Sequence, residues 1–157
     1  MNDTKWGAPV DGALSRTIRT INAAPGVISD HGARAIAPHR IGNAGIFSTA
    51  SDLAKFCRMM LNRGRGFFKT DIAELFFTNQ APPGMTPRSI GWNMAPDFIP
   101  EGCSASTIHH TGWTGQAVWI DPAKQRFLIL LTNRFGDSIE SWRERLAAAQ
   151  EIFNTIV

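Results

Sequence analysis

The chain has 157 residues, of which 43% are hydrophobic and 18% are charged, and its formal net charge is +3. This composition is typical of a single globular domain and excludes an intrinsically disordered chain, which would combine low hydrophobicity with high net charge. No apolar run is long enough for a membrane span, residues 1–4 do not begin a signal peptide, and the arginines are too scattered along the sequence to indicate nucleic-acid binding.

The first segment is predicted to be a loop-rich lead-in that lies over the rest of the domain. Prolines and glycines interrupt any helical or strand pattern there. They are Pro9, Gly12, Pro25, Gly26, Gly32, Pro38, Gly42 and Gly45.

A clear helical pattern follows. Thr49 and Asp52 have capping-box spacing, and apolar residues then recur at three- and four-residue steps. These apolar residues are Leu53, Phe56, Cys57, Met60 and Leu61. Gly64 and Gly66 are expected to end this helix, and a shorter helix is predicted from about Asp71 to Phe77.

The pattern then changes to short β-prone runs separated by turn residues. The runs are Ser89–Met94, Thr107–His110, Ala117–Asp121 and Arg126–Thr132. The Asp-Pro-Ala-Lys sequence at 121–124 predicts an antiparallel hairpin between the last two runs. Because Phe127–Leu131 is apolar on both faces, this strand is predicted to be covered on both sides.

The last segment, from Ser138 to Val157, is predicted to be an amphipathic helix capped by Asp137 or Ser138. Its apolar stripe contains Ile139, Trp142, Leu146, Ala149, Phe153 and Ile156. Such a stripe favours an α+β fold, in which an antiparallel sheet of three to four strands carries a C-terminal helix packed on it. The single partial domain, 1–157, thus divides into a lead-in (1–45), a helical segment (46–80), antiparallel strands (88–134) and a C-terminal helix (137–157).

The most informative motif is His109-His110-Thr111-Gly112-Trp113-Thr114-Gly115-Gln116. A strand that ends in His110-Thr111 can present a hydroxyl and a backbone N–H to a ligand, and Gly112 removes the side chain that would block close approach. A plain β-turn is the alternative. His109 and His110 are adjacent on a strand and therefore project to opposite faces. We expect His110, Thr111 and Trp113 to line a groove.

Several stretches occur in an order that points to one family. Residues 46–56 have the pattern of a loop followed by an F-S-T-x-x-D-L-x-x-F helix, and Ile90-Gly91-Trp92 forms a Gly-Trp strand. His110-Thr111-Gly112 looks like a third active-site motif in which His replaces Lys, and residues 1–4 match the segment after a helical subdomain. Together they resemble the serine β-lactamase-like family, which includes penicillin-binding proteins, class C β-lactamases and related esterases.

The resemblance implies three roles at the motif. His110 would contribute polarity or charge near the carboxylate or leaving group of the substrate, and Thr111 would offer its hydroxyl. The Trp113 backbone N–H, which follows Gly112, would be one of two oxyanion-hole donors. Because a histidine replaces the lysine, an ester or amide substrate is favoured over a β-lactam.

The family's chemistry needs a Ser-x-x-Lys nucleophile and a Tyr-x-Asn motif, and neither occurs in this sequence, which has no tyrosine. The residues three positions before Lys5, Lys55, Lys69 and Lys124 are Asn2, Asp52, Gly66 and Asp121. The sequence is interpreted as the C-terminal portion of a serine hydrolase that acts on β-lactams, esters or peptide amides when intact. The start of the chain inside a family motif favours this interpretation. The alternative is a non-catalytic binding or interaction module derived from the same fold.

The resemblance also implies a partner for one strand. In the family's fold, a strand from the N-terminal half lies beside the strand that corresponds to residues 126–132. Without that neighbour the apolar edge would be open, a situation that proteins normally avoid. We therefore expect a homo-oligomer or pairing with an N-terminal half through this strand.

Other site chemistries fit less well. The histidines are His31, His39, His109 and His110, and they lack metal-ligand spacing, so no metal and no cofactor is predicted. Cys57 lies on the apolar helical face, where a buried free thiol is expected, and a disulfide with Cys103 stays open. We interpret Arg58, Arg63 and Arg65 as a solvated helix end that suits the helix dipole.

Overall fold

The computed structural model describes residues 1–7, 23–134 and 140–156, with only the backbone of Glu140 and Ser141. Its elements in chain order are β1 (Lys5–Trp6), α1 (His31–Ala35), β2 (Ile46–Phe47), α2 (Ala50–Leu61), α3 (Thr70–Leu75), β3 (Arg88–Ser89), β4 (Trp92–Asn93), a 3-10 turn (Pro96–Phe98), β5 (Ile108–Thr111), β6 (Gln116–Asp121), β7 (Arg126–Leu131) and α4 (Glu140–Thr155). The predicted α+β fold is confirmed. In these described ranges, none of the helices has the length and apolar character needed to cross a membrane.

The main sheet is an antiparallel meander of five strands in the order β3-β4-β5-β6-β7. It has one strand more than the sequence analysis allowed, because the run 89–94 folds back on itself. Gly91 sits at the fold with φ +76, a conformation that an L-residue side chain disfavours. The predicted hairpin at 121–124 is confirmed by the register of β6 on β7, in which Asp121 faces Arg126.

The sheet is covered on both faces, which confirms the prediction for β7. On one face, α2 packs through a cluster that contains Cys57, Met60, Ile108, Ile120, Phe127 and Ile129. On the other face, α4 packs through a cluster that contains Ala117, Trp119, Leu128, Leu130, Ala149 and Phe153. Successive residues of β7 thus alternate between the two clusters, as the two-residue repeat of a strand requires.

Helix α2 begins and ends where the sequence pattern predicts. The Thr49 hydroxyl accepts a hydrogen bond from the Asp52 N–H at 3.2 Å, which satisfies one free amide of the first turn. After Leu61 the chain leaves the helix with Arg63 at φ 54 and Gly64 at φ 65. A Cβ on Gly64 would lie 2.7 Å from the Phe68 ring, so only glycine fits this turn.

The lead-in is less irregular than predicted. It contains α1, because the Asp30 carboxylate accepts a hydrogen bond from the Ala33 N–H at 2.7 Å and so caps a short helix among the glycines. It also contains β1, which pairs with β2 through Lys5 opposite Phe47. Pro9 and Gly12 lie outside the described residues.

The C-terminal helix packs on the sheet as predicted. Ala149 and Phe153 are buried, whereas Ile156, at the end of the predicted stripe, is 46% exposed because the helix ends at Thr155. The proposed cap, Asp137 or Ser138, lies outside the described residues. Both cysteines are free thiols, and burial raises the pKa of Cys57 to about 12.

Candidate functional site

The predicted site motif forms the end of β5 and a tight turn into β6. The Gly112 N–H donates to the Gln116 carbonyl at 2.7 Å, and the Gly115 N–H donates to the Gly112 carbonyl at 3.0 Å. Gly115 is needed sterically, because a Cβ there would lie 2.8 Å from the Arg134 backbone nitrogen. A Cβ on Gly112 would lie 2.6 Å from Gln116 Oε1, which is the end of a flexible side chain.

The two adjacent histidines face opposite sides of the sheet, as the strand alternation predicts. His109 is 2% exposed and stacks on Phe98 and Trp142, with ring centroids 5.6 and 6.3 Å away. Burial lowers the pKa of His109 to about 4, with smaller contributions from the charges of His110 and Arg88. His110 is exposed, and its ring meets the edge of Trp92 at 6.4 Å on the α2 side of the sheet.

Thr111 and Trp113 present polar groups that the described part of the chain leaves unused. Thr111 is exposed, and Trp113 is 60% exposed. Neither the Thr111 hydroxyl nor the Trp113 N–H makes a hydrogen bond to another described residue. The strand end and the turn therefore offer an exposed hydroxyl and a backbone donor within a few residues of the exposed His110.

Arg134 supports this turn, and the sequence analysis missed it. Its guanidinium lies 4.2 Å from the centroid of the Trp113 ring, and its backbone N–H donates to the Thr114 carbonyl at 2.9 Å. The predicted hairpin could have indicated this contact. Because β6 and β7 pair side by side, the residues that follow β7, which include Arg134, must lie next to the turn that precedes β6.

Asp52 is a second polar centre whose partners the sequence analysis missed. Its carboxylate is 1% exposed and accepts from the Asp3 N–H at 2.8 Å, the Thr4 hydroxyl at 3.0 Å and Lys55 Nζ at 2.8 Å. The Lys55 hydrogen bond is the largest cause that lowers the pKa of Asp52 to about 2. This ionised carboxylate fixes the first residues of the chain to α2.

A separate open cleft lies elsewhere in the described part of the chain. Its volume is about 810 Å³, and it is lined by residues of α2, of the following loop and of the start of α3. His110, Thr111 and Trp113 are not among its lining residues. That these three residues line a groove therefore stays a prediction, and their chemistry, rather than any enclosed volume, makes them the candidate site.

Comparisons with known proteins agree on one family. A family model described as Beta-lactamase matches residues 1–151. The N-acetylmuramyl-L-alanine amidase of Bacillus subtilis is 38% identical over 104 residues, which are 59% of this chain and 23% of that protein. A putative D-alanyl-D-alanine carboxypeptidase of Salmonella typhi is 36% identical over 106 residues, with the same shares.

The fold has a counterpart among solved structures. A beta-lactamase from Mycobacterium bovis superposes with a TM-score of 0.57 at 24% identity, over 69% of this chain and 44% of that one. The match to each curated relative spans about a quarter of that relative's length.

Proposed function

Because this chain belongs to the beta-lactamase family, we propose that it supplies one wall of the acyl-substrate site of a serine hydrolase and acts as the C-terminal part of that enzyme. The observation that carries this proposal is the unused Trp113 N–H, in the turn that directly follows the exposed His110 and Thr111 in the sequence. A preorganised backbone donor of this kind is what stabilises the oxyanion of an acyl-transfer intermediate.

The chemistry divides between this chain and a nucleophile-bearing segment. The Trp113 N–H donates to the carbonyl oxygen of the substrate as negative charge develops on it. Thr111 supplies a hydroxyl and His110 an imidazole ring to the substrate near the scissile bond. Attack on the carbonyl needs an activated serine, and the sequence contains no Ser-x-x-Lys. This chain therefore binds and orients the substrate, and the covalent step belongs to the intact enzyme.

The proposed substrate is a peptide amide. Two relatives carry the names of an amidase and a carboxypeptidase, and both names denote cleavage of an amide bond. His110 occupies the position at which the resemblance places a lysine, so a permanent cation for a β-lactam carboxylate is missing. An amide-bonded D-alanyl peptide is the substrate class that fits these observations.

A binding titration tests the wall directly. We expect N-acetyl-D-alanyl-D-alanine to shift the amide resonances of residues 110–116 in a ¹⁵N-labelled chain, with the largest change at Trp113. Thr111→Val and His110→Ala should weaken binding, whereas His39→Ala, at another exposed histidine, should not. Shifts that spare residues 110–116 would place the ligand elsewhere.

Intact-mass measurement tests the missing nucleophile. After incubation with a penicillin or a fluorophosphonate, this chain should show no covalent adduct, because it lacks the activated serine. A stoichiometric adduct on a serine of this chain would show that a nucleophile is present after all.

The second candidate, an interaction module, is favoured by the position of β7. Among the described residues β7 pairs only with β6, so its other edge has free backbone groups beside apolar side chains. We propose that this edge adds a strand from a second copy or from an N-terminal half.

Light scattering should then give a mass above 17.2 kDa for the purified chain. A monomer whose outward-pointing β7 amides exchange slowly would contradict this.

A further inference from the structure

The loop between α2 and α3, residues 62–69, presents aromatic rings to solvent. Phe67 is 78% exposed and Phe68 is 41% exposed. Phe68 is held by the ring of Phe76, 5.4 Å away, whereas no ring or cation contact of Phe67 occurs in the described structure. Ile72, early in α3, adds a further apolar side chain that is 43% exposed.

The loop holds this arrangement through its own backbone. The N–H groups of Phe67 and Phe68 both donate to the Gly64 carbonyl, at 2.8 and 2.9 Å. The Gly64 N–H donates back to the Met59 carbonyl at 2.9 Å. Phe67 is therefore presented outward by an ordered turn, which lowers the entropy that a partner must overcome on binding.

The cleft beside this loop is strongly basic. Its charged lining residues are Lys55, Arg58, Arg63, Arg65 and Lys69, and no acidic residue lines it. Two of these cations are neutralised within the fold, since Lys55 Nζ lies 2.8 Å from Asp52 and Arg63 Nε lies 3.3 Å from Glu74.

The other three cations have no carboxylate partner within the described ranges. Arg58 lies over the Phe127 ring, with its guanidinium carbon 5.8 Å from the ring centroid. Arg65 and Lys69 are exposed and flank Phe67 in the sequence. The outer part of the cleft thus carries uncompensated positive charge around an exposed aromatic side chain.

We propose that this loop docks the protein on an anionic membrane surface, with Phe67 inserted at the boundary between headgroups and acyl chains and with Arg58, Arg65 and Lys69 bound to lipid phosphates. Exposed apolar side chains ringed by cations are typical of interfacial membrane binding, in which apolar burial and attraction to anionic lipids add together. A free anion would leave Phe67 without a role.

Vesicle sedimentation with the full chain tests this proposal. We expect binding to phosphatidylcholine vesicles that contain phosphatidylglycerol, little binding to phosphatidylcholine alone, and weaker binding as salt is raised. The double variant Arg65→Gln, Lys69→Gln should lower the partition coefficient by about 25-fold, from about fivefold for each cation removed. Phe67→Ser should lower it by about tenfold, since the apolar contribution is lost.

Matched variants separate this loop from general surface effects. Arg40→Gln removes another exposed cation, and Met85→Ser removes another exposed apolar side chain, one that is 66% exposed. Both should bind vesicles as the unmodified chain does, and far-UV circular dichroism should show that every variant is folded. The loop variants should leave D-alanyl peptide binding at residues 110–116 unchanged.

Three results would overturn the proposal. The first is equal binding to vesicles with and without phosphatidylglycerol, which would remove the role of the cations. The second is unchanged vesicle binding by Phe67→Ser, which would remove the role of insertion. The third is binding to soluble polyphosphate or duplex DNA, sensitive to the loop variants, without any binding to vesicles, because the surface would then recognise a soluble polyanion.

Discussion

Asp121 and His109 are two buried polar side chains on neighbouring strands, and the fold accommodates them in different ways. Asp121, at the end of β6, is fully buried and accepts hydrogen bonds from the Ser104 N–H at 3.0 Å, the Ser104 hydroxyl at 2.6 Å and the Lys124 N–H at 3.2 Å. His109, on β5, is also buried, yet neither ring nitrogen has a hydrogen-bond partner among the residues that the structure describes.

The difference shows what each contact does for the fold. The Asp121 carboxylate ties the 104–107 turn to the β6–β7 hairpin through directed bonds. The His109 ring instead fills space between the sheet and α4, and it is tolerated there because it is neutral. Buried polar groups without partners cost free energy, and a charged group in such a place costs far more.

The largest expected loss of stability follows from removing the Asp121 carboxylate. Asp121→Ala should lower the free energy of unfolding by about 3 kcal/mol, because the hydrogen bonds that this carboxylate accepts from Ser104 and Lys124 are lost. Asp121→Asn, which keeps a side-chain acceptor, should cost less. Urea denaturation measures both variants. Equal losses for the two would mean that shape, rather than hydrogen bonding, is what Asp121 contributes.

The burial of the His109 ring predicts that the stability of the fold depends on pH. The pKa of His109 is about 4 in the folded chain against an ordinary value of 6.5, so the unfolded chain binds more protons between these values. Stability should therefore fall as the pH is lowered through this range, by about 2 kcal/mol between pH 7 and pH 5.

Two variants isolate this effect. His109→Phe keeps a ring between Phe98 and Trp142 and should flatten the melting temperature between pH 7 and pH 5. His110→Ala removes the exposed neighbour and should leave most of the slope in place. A slope that survives in His109→Phe would assign the acid sensitivity to another group.

The smallest expected effect concerns the reactivity of the buried Cys57 thiol. Its thiol is fully buried in the α2 cluster, and burial raises its pKa to about 12, so it should not react with a thiol reagent at pH 8. The half-buried Cys103 should react slowly, because burial also raises its pKa. In urea both thiols should react at once. Rapid labelling of Cys57 in the folded chain would show that α2 opens from the sheet.

Much of the fold could be predicted because its determinants are local. The α2 pattern, its Thr49 cap and the 121–124 turn each lie within a few residues of the structure that they specify. The split of the 89–94 run into β3 and β4 was missed because a β-prone run does not reveal that Gly91 turns. The helix α1 was missed because a single cap, Asp30, outweighs several breakers.

The remaining features depend on residues that are distant in the sequence. Asp52 was interpreted only as part of a capping box, whereas its partners Asp3 and Thr4 come from 49 and 48 residues away. Arg63 was interpreted as solvated, yet its guanidinium lies 4.7 Å from the centroid of the Phe77 ring. The basic cleft was missed because scattered cations converge only when α2, its loop and α3 are folded.

The Asp52 contacts also set an expectation for the order of folding. The meander β3–β7 is built from hairpins between successive strands, so its contacts close short loops and can form early. The bonds from Asp52 to residues 3 and 4 close a loop of nearly fifty residues, which has a larger entropic cost. We expect the N-terminal residues to join α2 last and to detach first, so the Asp3 amide should exchange with solvent at milder conditions than the amides of β6.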